Sequence, residues 1–223
     1  MPHADRESIR LVAATVHGRT HIEVPPHAAP RRWLVGFHGY AQNAAIMLDL
    51  LRQVPGSEAW LLASVQALHP FYNRADEVVA NWMTRQDREH AIADNIAYAD
   101  AVIADLEREC GAPESLVFAG FSQGVAMAYR AGLAGRRAAD AILAVAGDLP
   151  PELKTPGRRW PPVRIVVGTR ETWYTPERLR ADVDYLAAAG ADVRATTFEG
   201  GHEWTPAVNA AAAELLAEVA SRE

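Results

Sequence analysis

The sequence predicts an α/β fold whose mostly parallel central sheet carries helices on both faces, preceded by an N-terminal hairpin. Apolar runs of strand length alternate with amphipathic stretches of helix length, the pattern made by parallel strands joined through crossover helices. Runs such as Ala141–Ala146 are apolar throughout and do not alternate, so both of their faces need cover. The chain has 223 residues, 49% hydrophobic and 22% charged, enough to bury one large core, and one domain over residues 1–223 is expected.

Element by element, Ile9–Val16 and Thr20–Val24 are rich in β-formers and flank His17-Gly18-Arg19, which predicts the hairpin. Pro25, Pro26 and Pro30 then interrupt the chain. A strand follows at Arg32–Phe37, a helix at Ala44–Gln53 and a strand at Ala59–Val65. From Gln66 to Arg88 no element is evident, and a loop of that length is expected to be functional. Ile92, Ile96, Ala99, Ile103 and Leu106 share one helical face, and Gly111 and Pro113 end that helix. Beyond it come a strand at Ser115–Ala119, a helix at Ser122–Ala134, and strands at Ala141–Ala146 and Val163–Val167. A helix at Pro176–Ala189, a strand at Asp192–Phe198 and an Ala-rich helix at Thr205–Val219 complete the chain. The proline-rich stretch Gly147–Pro162 reads as a surface excursion between two strands.

Composition narrows the function classes. Lys and Arg total 22 against 28 Asp and Glu, a formal charge of −6, and no basic stripe is present to neutralise phosphates, so nucleic acid is not an expected partner. The segment Met1–Ser8 is polar where a signal peptide needs an apolar core, and no apolar run reaches the span of a membrane helix. Both point to a cytoplasmic protein without membrane insertion. One cysteine, Cys110, rules out an internal disulfide framework and falls at a helix end, where it reads as a bystander. His202-Glu203 lacks the second histidine of a zinc helix, and the glycines form neither G-x-G-x-x-G nor a P-loop, so no metal and no cofactor are expected.

Gly120-Phe-Ser-Gln-Gly124 is a G-x-S-x-G sequence placed directly after an apolar strand and before a helix. Such a turn forces Ser122 into a strained backbone with Oγ exposed above the sheet, and the helix start offers free N–H groups to developing negative charge. An oxyanion hole needs two donors. The Gln123 N–H is one, and the Tyr40 N–H in Phe37-His-Gly-Tyr-Ala-Gln-Asn43 is the candidate for the other, with His38 read as a packed, hydrogen-bonded side chain. A general base is expected late in the chain on a loop after a strand; His202, in Phe198-Glu-Gly-Gly-His, fits and is the only histidine beyond His90. For the carboxylate that orients it, Glu171 follows one apolar strand and Asp148 follows the strand before, and the choice stays open, with Glu171 favoured.

Together His38-Gly-Tyr-Ala-Gln, Gly120-Phe-Ser-Gln-Gly, Thr169-Arg-Glu-Thr-Trp-Tyr and Gly200-Gly-His-Glu-Trp resemble the carboxylesterase/phospholipase family of α/β-hydrolases, the branch that includes acyl-protein thioesterases. The resemblance runs from about Trp33 to Trp204 and implies an α/β-hydrolase fold and cofactor-free hydrolysis of small-molecule esters, thioesters or lysophospholipids through a serine, an acid and a histidine. Where that family usually has Asp, this chain has Glu171. Phe71, Tyr72, Trp82 and Trp173 with Tyr174 are expected either to wall an acyl pocket or, for the loop aromatics, to anchor the long loop to the body. An acyltransferase on the same site and a non-catalytic binding protein are the rival readings, and oligomeric state stays open.

Overall fold

The computed structural model describes residues 8–26 and 30–222. Its strands are β1 (Thr20–Glu23), β2 (Arg32–Phe37), β3 (Leu61–Val65), β4 (His69–Tyr72), β5 (Val78–Asn81), β6 (Ser115–Phe121), β7 (Ala141–Val145), β8 (Val163–Gly168) and β9 (Val193–Phe198). Its helices are α1 (Ala44–Arg52), α2 (Arg88–Cys110), α3 (Gln123–Ala134), α4 (Pro176–Ala188) and α5 (Pro206–Ala220). Seven strands form one sheet in the order β1-β3-β2-β6-β7-β8-β9, parallel throughout except for the antiparallel pairing of β1 with β3.

Strand periodicity sorts the apolar side chains into two cores. Trp33, Val35 and Phe37 of β2 with Leu116 and Phe118 of β6 face α2, α3 and Leu186 of α4. Leu34, Val117, Ala119 and Phe121 face the other way, onto Met47, Leu48 and Leu51 of α1 and Val208, Leu215 and Leu216 of α5. Helix starts are set locally: the Asn43 side chain accepts the Ile46 N–H at α1, and proline opens both α4 and α5.

Two expectations are corrected. Only Thr20–Glu23 of the expected N-terminal hairpin is a strand; it pairs with β3, and Ile9–Val16 forms none. The Arg19 carbonyl accepts both the Gln66 N–H and the Tyr98 hydroxyl, and a Cβ on Gly18 would lie 2.1 Å from the Tyr98 ring, so the chain before β1 is tied against α2. Ile9 and Val12 are each 86% exposed, and a strand with no face to bury gains little from pairing. The stretch Gln66–Arg88 in turn contains the separate β4-β5 hairpin. Its turn is held by the Asn73 side-chain oxygen, which accepts the Ala75 and Glu77 N–H groups, while Asp76 takes the left-handed conformation. The excursion from Gly147 to Pro162 is tied down by a short 3-10 turn at Pro151–Leu153, with Leu149 and Leu153 buried in the core.

Candidate active site

Strands β2, β6, β7, β8 and β9 end at the same edge of the sheet, the carboxyl edge where open α/β sheets bind ligands. Ser122 sits between β6 and α3 at φ 53° and ψ −119°, a conformation costly for any residue with a side chain and usual at functional turns. The two glycines of its motif permit the turn sterically. A Cβ on Gly124 would lie 2.0 Å from the Phe37 carbonyl oxygen, and one on Gly120 would lie 2.5 Å from the Gly124 carbonyl oxygen.

Ser122 Oγ lies 2.7 Å from His202 Nε2, and His202 Nδ1 lies 2.6 Å from Glu171 Oε2. Glu171 reaches the histidine because β8 ends in Gly168, where a Cβ would stand 2.4 Å from the Gly201 carbonyl oxygen; the two loops therefore nearly touch. The Glu171 side chain is 1% exposed, and its Oε1 accepts the Thr172 and Trp173 N–H groups, each at 2.7 Å. Burial pushes the Glu171 pKa up, but the Trp173 N–H, His202 and the Thr172 N–H outweigh it and hold the carboxyl below its ordinary range. Among the described residues Asp148 forms no hydrogen bond or ion pair with His202; it faces Arg178 at 3.6 Å. Phe121 stacks obliquely beside the imidazole, with centroids 5.1 Å apart.

The backbone around the serine is braced by the β4-β5 hairpin. Ala80 exchanges backbone hydrogen bonds with Ala41 and Gln42, the Trp82 N–H donates to the Gln123 side-chain oxygen, and Gln123 Nε2 donates to Asn81 and to the Met83 carbonyl. The Gln42 side chain accepts the Gly39 N–H at 2.8 Å. These contacts leave the Tyr40 N–H without a partner among the described residues, and the Gln123 N–H, at the first position of α3, has no preceding turn to donate to. His38 is fully buried: Nδ1 donates to the Gly39 carbonyl and Nε2 accepts the Ala67 N–H, which assigns the neutral Nδ1-protonated ring. Burial lowers its pKa against the opposing effect of the Gly39 carbonyl. A depressed imidazole pKa contributes stability above the unfolded value of about 6.5 that is lost as pH falls through the folded value. The urea midpoint is therefore expected to drop between pH 7 and pH 5, and His38→Gln is expected to flatten that drop; an unchanged slope would refute the assignment.

The cavity beside Ser122 has a volume of about 510 Å³ and is walled by Tyr40, Ala146, Trp173, Tyr174 and the Asp148–Arg178 pair. Asp182, buried under it, accepts the Leu149 N–H and the Tyr174 hydroxyl, joining the β7 and β8 walls. A wider depression of about 730 Å³, bounded by Lys154, Trp160 and Tyr185, lies at the far end of α4 and contains no serine, histidine, cysteine or carboxylate.

The loop aromatics do not wall the cavity as a set, which corrects that expectation. Trp82 is 1% exposed in the core, edge-on to Phe37, with Nε1 donating to the His38 carbonyl. Phe71 packs on the Tyr40 ring and Tyr72 faces solvent, both outside the cavity wall, whereas Trp173 stands at the wall and is 74% exposed. Trp82→Ala is thus expected to destabilise the fold by about 3–5 kcal/mol in urea unfolding, with preference among acyl lengths conserved. A stable variant with altered preference would return Trp82 to the pocket. Ala146 and Arg178 were not legible as cavity residues. The sequence signal for Arg178 is a cation in the first turn of α4, where the helix dipole disfavours one; Ala146 has none, since its positive φ is a property of the folded chain.

Among the described residues no cluster of His, Cys, Asp and Glu is arranged to hold a metal, and no helix is long and apolar enough to cross a membrane. Cys110 is half-buried at the end of α2.

Comparison with known proteins agrees with this architecture. Esterase PE8 superposes with a TM-score of 0.75 at 23% identity over 92% of this chain and 100% of that one. Acyl-protein thioesterase 2 of Zea mays gives 0.68 at 18% identity over 91% and 99% of the two chains. A carboxylesterase of Mesorhizobium loti gives 0.69 at 18% identity over 84% and 88%. These likenesses establish the α/β-hydrolase fold. No curated protein sequence matches at a significant level. Residues 24–214 match the family model for phospholipases and carboxylesterases, and on that match the chain belongs to the phospholipase/carboxylesterase family and is a carboxylesterase-type serine hydrolase.

Proposed function

We propose that the chain hydrolyses carboxylic esters or thioesters through an acyl-enzyme on Ser122, with His202 as general base and Glu171 as its orienting carboxylate. The reading rests on one observation, the unbroken hydrogen-bonded path from Ser122 Oγ through the imidazole to a buried carboxylate. His202 takes the hydroxyl proton as Oγ bonds to the acyl carbon, and the carbonyl oxygen gains negative charge. The Tyr40 and Gln123 N–H groups stabilise that oxyanion. Collapse expels the alcohol or thiol, which leaves with the proton from His202. Water, deprotonated by the same imidazole, then attacks the acyl-serine, and breaking the acyl–Oγ bond returns the proton to Ser122.

Incubation with a fluorophosphonate tests the reading directly. One adduct per chain is expected, at Ser122 by peptide mass, together with turnover of p-nitrophenyl acetate. Absence of labelling in folded protein would favour a non-catalytic binding protein instead.

A further inference from the structure

Among the described residues Arg178 is the one Lys or Arg in the cavity wall, and its hydrogen-bonding capacity is largely unused. Its Nη1 donates to the Trp173 carbonyl at 3.2 Å, and its side chain is 60% exposed. The neighbouring Asp148 oxygen stands at 3.6 Å, beyond hydrogen-bond length, and is itself 62% exposed, so this ion pair is weak and solvent-screened. A guanidinium carries five N–H donors in a planar fork, and among the described residues only this one hydrogen bond uses them. Helix stability gives no reason for the residue, since a cation in the first turn of α4 opposes the helix dipole. The wall around it is otherwise short and aromatic, with Ala146, Tyr174 and Trp173.

Resting on the serine-hydrolase reading above, we infer that Arg178 selects substrates bearing a carboxylate or phosphate near the scissile ester, with Asp148 as the group the substrate anion displaces. The aromatic rim of Tyr40 and Trp173 covers the linking carbons, and the guanidinium fork takes the anion bidentately. An ester bearing an anionic group is therefore the substrate class, in place of a neutral one. Asp148 sets the threshold: it screens Arg178 against solvent anions and repels any substrate anion that does not fully replace it.

Two matched substrate pairs distinguish which side of the ester carries the charge. Monoethyl succinate against ethyl levulinate places the anion on the acyl side; acetoxyacetate against acetoxyacetone places it on the alcohol side. With acid release followed at constant pH, kcat/KM is expected to favour the anionic member of at least one pair. Arg178→Gln should lower that anionic-to-neutral ratio about tenfold or more, chiefly through KM, while Arg178→Lys recovers part of it and Asp148→Asn raises it. Exposure of both side chains makes misfolding of these variants a minor concern, and thermal melts verify it. A ratio in both pairs that does not respond to Arg178→Gln overturns the inference. Failure to hydrolyse any of the four esters, with Ser122 still labelled by a fluorophosphonate, overturns the substrate class and leaves the nucleophile standing. Loss of labelling as well overturns the underlying reading.

Discussion

Ser122→Ala is expected to lower kcat for p-nitrophenyl acetate by a factor on the order of 10⁴ to 10⁶ with the fold intact. The size of the effect follows from chemistry: removing Oγ leaves His202 with no proton to take and the acyl carbon with no covalent partner. Only oxyanion binding and positioning remain. The expectation of an intact fold follows from local structure. Ser122 opens α3, yet its side chain makes no capping hydrogen bond, so alanine forfeits no cap. Alanine also meets the same left-handed φ of 53° that serine already tolerates, so the strain is unchanged. Purified variant assayed beside wild type, with matched urea midpoints, provides the measurement. Residual activity above a few per cent would transfer the nucleophile to another group.

How far this fold could be read in advance depended on whether a segment's neighbours were implied by its own residues. The strands β2, β6 and β7 are apolar on both faces, which has one physical solution, burial between helix layers, and they form where the pattern places them. The β4-β5 hairpin is four residues on each side, with Pro70 in one strand, and takes its stability from the Gln42 and Gln123 contacts, which no local pattern encodes. The N-terminal segment failed in the opposite direction. Ile9–Val16 is rich in β-formers like a strand, but the chain that follows it is held at Arg19 by Tyr98, about 80 residues away in sequence.

The site followed the same logic. That Ser122, His202 and Glu171 meet was legible because strand-to-loop positions after parallel strands converge on one edge, whatever the intervening sequence. Trp82 was not, since a tryptophan in a long loop looks the same whether it faces a ligand or plugs the core beneath the His38 carbonyl. Arg178 escaped because a cation in the first turn of a helix does not by itself say whether its side chain faces the sheet edge or solvent.

Glu171→Gln is expected to cut kcat on the order of a thousandfold or more with little change in KM, because the amide forces the wrong imidazole tautomer. In the native protein Oε1 accepts the Thr172 and Trp173 N–H groups while Oε2 accepts from His202 Nδ1. A glutamine has one oxygen to serve both sides. With two backbone donors at 2.7 Å, that oxygen is best kept where Oε1 was, which turns the NH₂ toward His202. Nδ1 must then accept, so Nε2 carries the proton and points it at Ser122 Oγ, where a base needs a lone pair. The native carboxylate avoids this, and its lowered pKa keeps it ionised into mild acid. Glu171→Asp, one methylene shorter, must give up either the backbone pair or the imidazole, and intermediate activity is expected. Asp148→Asn should cost less than tenfold on p-nitrophenyl acetate, since that side chain faces Arg178 and not His202. The reverse ranking of the two amide variants would move the orienting role to Asp148 and require His202 to leave the Glu171 carboxylate during turnover.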